Sequence, residues 1–342
     1  MRRFIYIVAL ILALAFKANA DVHHDGHDHS GHNHSSPISH APIGVMGDHM
    51  HKEGEWMTSY RYMYMDMDKI YAGSQEISVG SVHNDFMISP VTMDMHMHMV
   101  GVMYGLTDEV TLMTMIPYIE KEMSHVRRTD GATFSTQTSG IGDIKLSGMF
   151  SLERYFDQNV QMNLGVSLPT GSIDERGNTV MGNHQKLPYP MQLGSGTFDF
   201  HPSVGYYDIS GKWNWGSQFN AVIRNGRNGN KYTLGHEYNL TSWIAYEMFD
   251  WMSTSFRVKA SKRGHIRGRD QELNVMMVPT ADTNNYAHER VDLLFGANIV
   301  VPDGLFKDHR LAFEIGMPAY IHAEGPQLMT DLTTTIGWQK AF

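Results

Sequence analysis

The chain has 342 residues, no cysteine, 26 methionines, 20 histidines and a formal net charge of −9. The missing cysteines exclude disulfides, thiolate metal sites, cysteine nucleophiles and a lipidated N-terminal cysteine. The acidic balance gives a nucleic-acid partner no electrostatic support, the less so once Arg2, Arg3 and Lys17 leave with a leader and the charge moves from −9 to −12.

That leader is residues 1–20. Arg2 and Arg3 precede an apolar run over residues 4–16, and Ala18-Asn19-Ala20 fits a signal-peptidase site. A run of 13 residues is too short for a spanning helix, which needs about 20. Residues 21–55 follow, with nine histidines from His23 to His51 set among Asp, Gly, Ser and Pro. Such a composition buries no core and predicts a disordered arm on the periplasmic side. Paired and alternating imidazoles on a flexible chain offer several nitrogens to one ion. His23, His24, His27, His29, His32, His34, His49 and His51, with Met50 beside the last two, are therefore candidate metal ligands.

From Trp56 to the end the pattern changes to period two. Twelve alternating segments span 56–67, 91–105, 109–120, 140–152, 158–169, 197–209, 212–224, 238–249, 251–261, 288–301, 308–321 and 327–342. Connections after the second, fourth, sixth and eighth are short, the one after the tenth is modest, and those after the first, third, fifth, seventh and ninth are long. Tight turns alternating with long loops, an even strand count and segments long enough to cross a bilayer at a tilt predict an all-β fold. It is a transmembrane antiparallel β-barrel of the bacterial outer membrane over 56–342, with lipid as its solvent. A terminal Phe342, in parity with Ile336 and Trp338, fits a closing strand, and Tyr60, Tyr62, Tyr64, Tyr104 and Tyr118 suit interfacial girdles. A soluble β-sandwich is the competing reading of many short strands.

The "LPTG" at 168–171, the "LGSGTFDF" at 193–200 and the closing stretch from His309 resemble the MetA-pathway-of-phenol-degradation family of outer-membrane proteins. The resemblance covers the chain from about Gly140 onward and implies a transporter-like barrel passing small aromatic compounds. The Met- and His-rich first third instead resembles barrels associated with bacterial copper handling.

Fifteen of the 26 methionines lie between Met46 and Met123. Thioether is a soft, neutral ligand suited to Cu(I). In "VTMDMHMHMVGVMYG", residues 91–105, Met93, Met95, Met97 and Met99 share one strand face, and Asp94, His96 and His98 share the other. If the aromatic and aliphatic residues of the first three strands face lipid, Met63, Met65, Met93, Met95, Met97, Met99, Met113 and Met115 line the interior. The opposite register puts His96 and His98 inside. Both sets are candidate ligands, and a period of two does not choose between them.

No ordered nucleophile, base and orienter is visible, since Ser124 and His125 are neighbours pointing opposite ways on an extended chain. The expectation is an outer-membrane transporter or channel and not an enzyme, handling copper as ligand or cargo. The alternative is a passive channel for small hydrophobic or aromatic compounds.

Overall fold

A computed structural model describes residues 36–152 and 159–342. Twelve strands form a closed antiparallel barrel: β1 (Trp56–Met67), β2 (Ile88–Thr107), β3 (Val110–Arg127), β4 (Ile144–Ser151), β5 (Val160–Leu168), β6 (Asp199–Ser210), β7 (Trp213–Arg224), β8 (Glu237–Phe249), β9 (Met252–Arg263), β10 (His288–Val300), β11 (His309–Met329) and β12 (Leu332–Ala341). Each pairs with its sequence neighbours, and β1 closes on β12 from Met57↔Ala341 to Asp66↔Leu332. Closure satisfies every edge, which a lipid-exposed sheet requires. Among the described residues no helix is long and apolar enough to cross a membrane.

Alternation sorts the side chains as the period-two pattern requires. Leu112, Ile116, Leu164, Phe219, Ile244 and Phe295 point outward and are exposed, forming the lipid-facing band. At the short-turn end Trp56 packs on Tyr104, Trp213 on Tyr246 and Phe249 on Trp251, an aromatic girdle. At the other end the connections fold on themselves. Residues 133–141 pair with β3, Arg176–Thr179 with Gly182–Lys186, and Tyr232–Thr233 with Arg267–Gly268.

Past Gly325, whose φ is +80°, Gln327–Met329 pairs with Lys69–Tyr71 in the same register that Leu332–Ala341 keeps with Met57–Asp66, so the closing ladder begins at 327 as the alternation predicts. The expectation that changes concerns the arm. Residues 36–51 carry no helix or strand but lie inside the barrel, with Ile38, Ile43, Val45, His49 and His51 all buried. They form a plug at the short-turn end. The solvated-arm expectation for 21–55 is thereby corrected over its described part, because Ile38, Ala41, Ile43 and Val45 give that part an apolar side to bury. The leader, the histidines from His23 to His34 and most of the turn between β4 and β5 lie outside the described residues.

Candidate functional site

The plug has no ladder of its own, so its carbonyls must find donors elsewhere. The inward residues of the strands supply them. Asn214 donates to Ile38 O at 2.7 Å, Ser253 to Pro37 O at 2.8 Å and Arg310 to Ala41 O at 2.7 Å. Gln218 donates to Met46 O at 2.9 Å, Asn163 to Gly47 O at 3.2 Å and Gln161 to Asp48 O at 3.2 Å. The segment rises to an apex at Gly44, where a Cβ would collide with the Arg257 guanidinium, and descends to His51, whose N–H donates to Thr111 Oγ1 at 2.9 Å. Below it, Met50 joins Met57, Met103, Met113 and Met149 in one buried cluster.

Above the apex lies a cavity of about 690 Å³, floored by Gly44 and roofed by loop residues including Tyr189, Leu193 and Tyr286. This is within the usual range for a small-molecule site. One wall is methionine: Met63, Met65 and Met67 from β1, and Met93, Met95 and Met97 from β2. Cross-strand partners in it are Met63↔Met97, Met65↔Met95 and Met67↔Met93. Its top is capped where Met93 and Met123 pack on Leu187 and Met191 from the long loop after β5.

The opposite wall is charged. Arg224 bridges Asp199 at 2.6 Å and Glu237 at 2.9 Å, and Arg257 binds Glu314 through Nε at 3.0 Å and through Nη2. Arg290 pairs with Asp292, and Lys259 and Arg263 complete the surface. Lys121 ties the roof down, donating from Nζ to Pro190 O and Gln192 O.

The register left open by the period of two is thus settled. Met63, Met65, Met93, Met95, Met97, Met99, Met113 and Met115 are all on inward parity, with Met99 beside Arg61 at plug level and Met113 in the lower cluster. His96 and His98 face outward, which corrects the opposite register, the one that would put them inside as ligands. Tyr60 hydroxyl meets His98 Nδ1 at 2.7 Å, Tyr62 meets His96 Nδ1 at 2.7 Å, and Tyr64 donates to Asp94 at 2.5 Å. Each phenol gives an outward imidazole or carboxylate a polar partner on the lipid side, so the sequence's two ligand sets lie on opposite faces of one sheet. Ser124 bonds to Ser135, while His125 turns inward and stacks on Phe134.

In the plug, His49 and His51 are buried, their rings 5.0 Å apart, and His51 Nδ1 lies 3.7 Å from Glu55. His49 also stands in a cluster with His40 and Asp48, two residues not among the candidate ligands read from the sequence. Burial alone would raise the Asp48 carboxyl, but the neighbouring His49, His40 and Arg310 outweigh it and hold the group well below the usual carboxylate range. The charged wall was also not read from the sequence, although its signal is plain: Phe256 and Phe313 point outward, which by alternation turns Arg257, Lys259 and Glu314 inward.

No family profile matches the chain, and no curated protein matches it by sequence. Among solved structures it is similar to an outer-membrane channel from Pseudomonas putida F1, with 17% identity, a TM-score of 0.57, and coverage of 87% of this chain and 99% of that one. The transport unit of the autotransporter AIDA-I from Escherichia coli (10% identity, TM-score 0.47, 87% and 93% covered) is more distant. So is the P. putida toluene transporter TodX (8%, 0.40, 85% and 91%). The first likeness establishes the fold alone: a closed antiparallel β-barrel of the outer-membrane type.

Proposed function

We propose that the protein is an outer-membrane channel for small hydrophobic or aromatic molecules. The observation that carries this reading is the inward methionine wall on the cavity between plug and roof. Six thioether side chains form a soft, adaptable apolar surface that accepts guests of varied shape without requiring a specific polar partner. The similar fold of a P. putida outer-membrane channel and the resemblance of the C-terminal half to the phenol-degradation family support it. Short turns face the periplasm in such barrels, so the plug and the N-terminus belong to that side. The test is uptake of toluene and phenol by liposomes containing the purified protein. Changing Met65 and Met95 to arginine, which puts charge on the apolar wall, should abolish it, and unchanged uptake would refute the reading.

A second reading rests on the cross-strand pairs Met63↔Met97, Met65↔Met95 and Met67↔Met93, which set thioethers opposite one another as Cu(I) ligands. Replacing Met63, Met65, Met95 and Met97 by leucine separates the two. Hydrophobic uptake should survive because volume and polarity are kept. Cu(I) binding by the barrel, if the second reading holds, should disappear.

A further inference from the structure

The plug holds a side-chain constellation that channel function does not require. His40 Nδ1 and His49 Nδ1 are 3.4 Å apart, Asp48 Oδ1 is 3.0 Å from His49 Nδ1, and Asp48 Oδ2 is 3.8 Å from His40 Nδ1. Ligands about 2.0–2.1 Å from a tetrahedral ion stand roughly 3.3 Å from one another. The three separations bracket that value, so the donor atoms surround a point that an ion can occupy with little movement. All three side chains are inside the lumen, with exposures of 4%, 9% and 2% for His40, Asp48 and His49. The carboxylate is oriented by a second contact, since the Ala41 N–H donates to Asp48 Oδ2 at 2.9 Å. Such outer contacts are what fix a metal-binding carboxylate in place.

We propose that His40, Asp48 and His49 bind one divalent transition ion, Cu²⁺ or Zn²⁺, which joins the two limbs of the plug across its apex. The donor set selects this class. Two imidazoles and a single carboxylate suit borderline ions, whereas Ca²⁺ and Mg²⁺ need oxygen shells that the site does not offer. The guanidiniums of Arg310 and Arg61 also act on Asp48, which further disfavours ions held by charge alone. His40 and His49 are nine residues apart, so an ion bound to both closes the loop that carries the apex residues Ile43, Gly44 and Val45. The loaded plug is then a cross-linked ring braced on the wall by Arg310, Gln218 and Asn163. This proposal is independent of which solute the cavity takes.

The test uses the full chain in detergent, stripped of metal, with His23, His24, His27, His29, His32 and His34 changed to glutamine to remove the competing tract. Bound Zn²⁺ or Cu²⁺ per chain and the melting temperature are then measured with each ion separately. One ion per chain and a raised melting temperature are expected, both lost on His40→Ala or His49→Ala, with the barrel's heat-modifiable gel mobility reporting that each variant is folded. If the alanine variants do not fold, Asp48→Asn keeps the shape and should weaken binding by at least about tenfold. No bound ion in the glutamine background, retention of the ion by a folded His40→Ala/His49→Ala double variant, or unchanged affinity in Asp48→Asn would overturn the site.

Discussion

Strands β1 and β2 turn methionine into the cavity, whereas β7 to β11 turn arginine, lysine and carboxylates into the same space. Both walls obey one parity rule, yet they behave as different materials. Thioethers need no partner and can change rotamer to suit a guest. The charged wall is fixed by its own pairs: Arg224 to Asp199 and Glu237, Arg257 to Glu314, and Arg290 to Asp292. A buried charge tolerates movement only if its partner moves with it. The cavity therefore combines one adaptable surface with one rigid one, above a plug that closes the shaft beneath both.

The largest effect should come from removing that floor. Deleting residues 36–51 takes out the segment held by Asn214, Ser253, Gln218 and Arg310, and both walls then line a continuous shaft. Single-channel conductance in planar bilayers should rise several-fold, and an unchanged conductance would show that the loop-end roof closes the pore by itself.

Next comes the rigid wall. Arg257→Met leaves Glu314 buried beside the plug apex without its bidentate partner and also removes the donor to Thr241 Oγ1, which should cost about 3–5 kcal/mol in urea unfolding from lipid vesicles. Adding Glu314→Met should restore much of the loss, because an apolar pair of similar size leaves no uncompensated charge. The adaptable wall should respond far less. Each of Met63, Met65, Met95 and Met97 changed to leucine should cost less than about 1.5 kcal/mol by the same measurement. If the leucine variants were as damaging as Arg257→Met, the contrast between the walls would fail. Smallest of all, Tyr60→Phe removes one outward hydrogen bond to His98 and should cost about 0.5–1.5 kcal/mol with solute uptake unaltered.

The barrel is legible in the sequence because lipid on one face and protein on the other enforce strict alternation, and short turns punctuate it. Strand β1 falls on its predicted residues 56–67, and β10 ends one residue before its prediction. Where a ladder is extended by pairing between distant segments, as at Lys69–Tyr71 against Gln327–Met329, the local pattern of the first strand stops short at Met67. The methionine stripe was legible as a stripe but not as a direction, since a period of two reads the same from either side. The Tyr60, Tyr62 and Tyr64 row decides it by supplying partners for His98, His96 and Asp94 on the outer face. The plug was hidden by composition. Glycine, serine, proline and histidine suggest a solvated tail, and the buried Ile38, Ile43 and Val45 among them are too few to form a core alone. They need the interior of a finished barrel.

That dependence sets an order of events in folding. The plug's anchors are remote in sequence: Gln161 is 113 residues from Asp48, Asn214 is 176 from Ile38, Ser253 is 216 from Pro37 and Arg310 is 269 from Ala41. Contacts across such separations carry a high loop-closure cost and form late. The segment that leads β1 out of the N-terminal region therefore docks only after β11 is in place, at about the time β1 meets β12. Seam closure and plug docking become one late, cooperative step, so a chain truncated before His309 should insert strands but leave residues 36–51 open to protease, while the complete chain protects them.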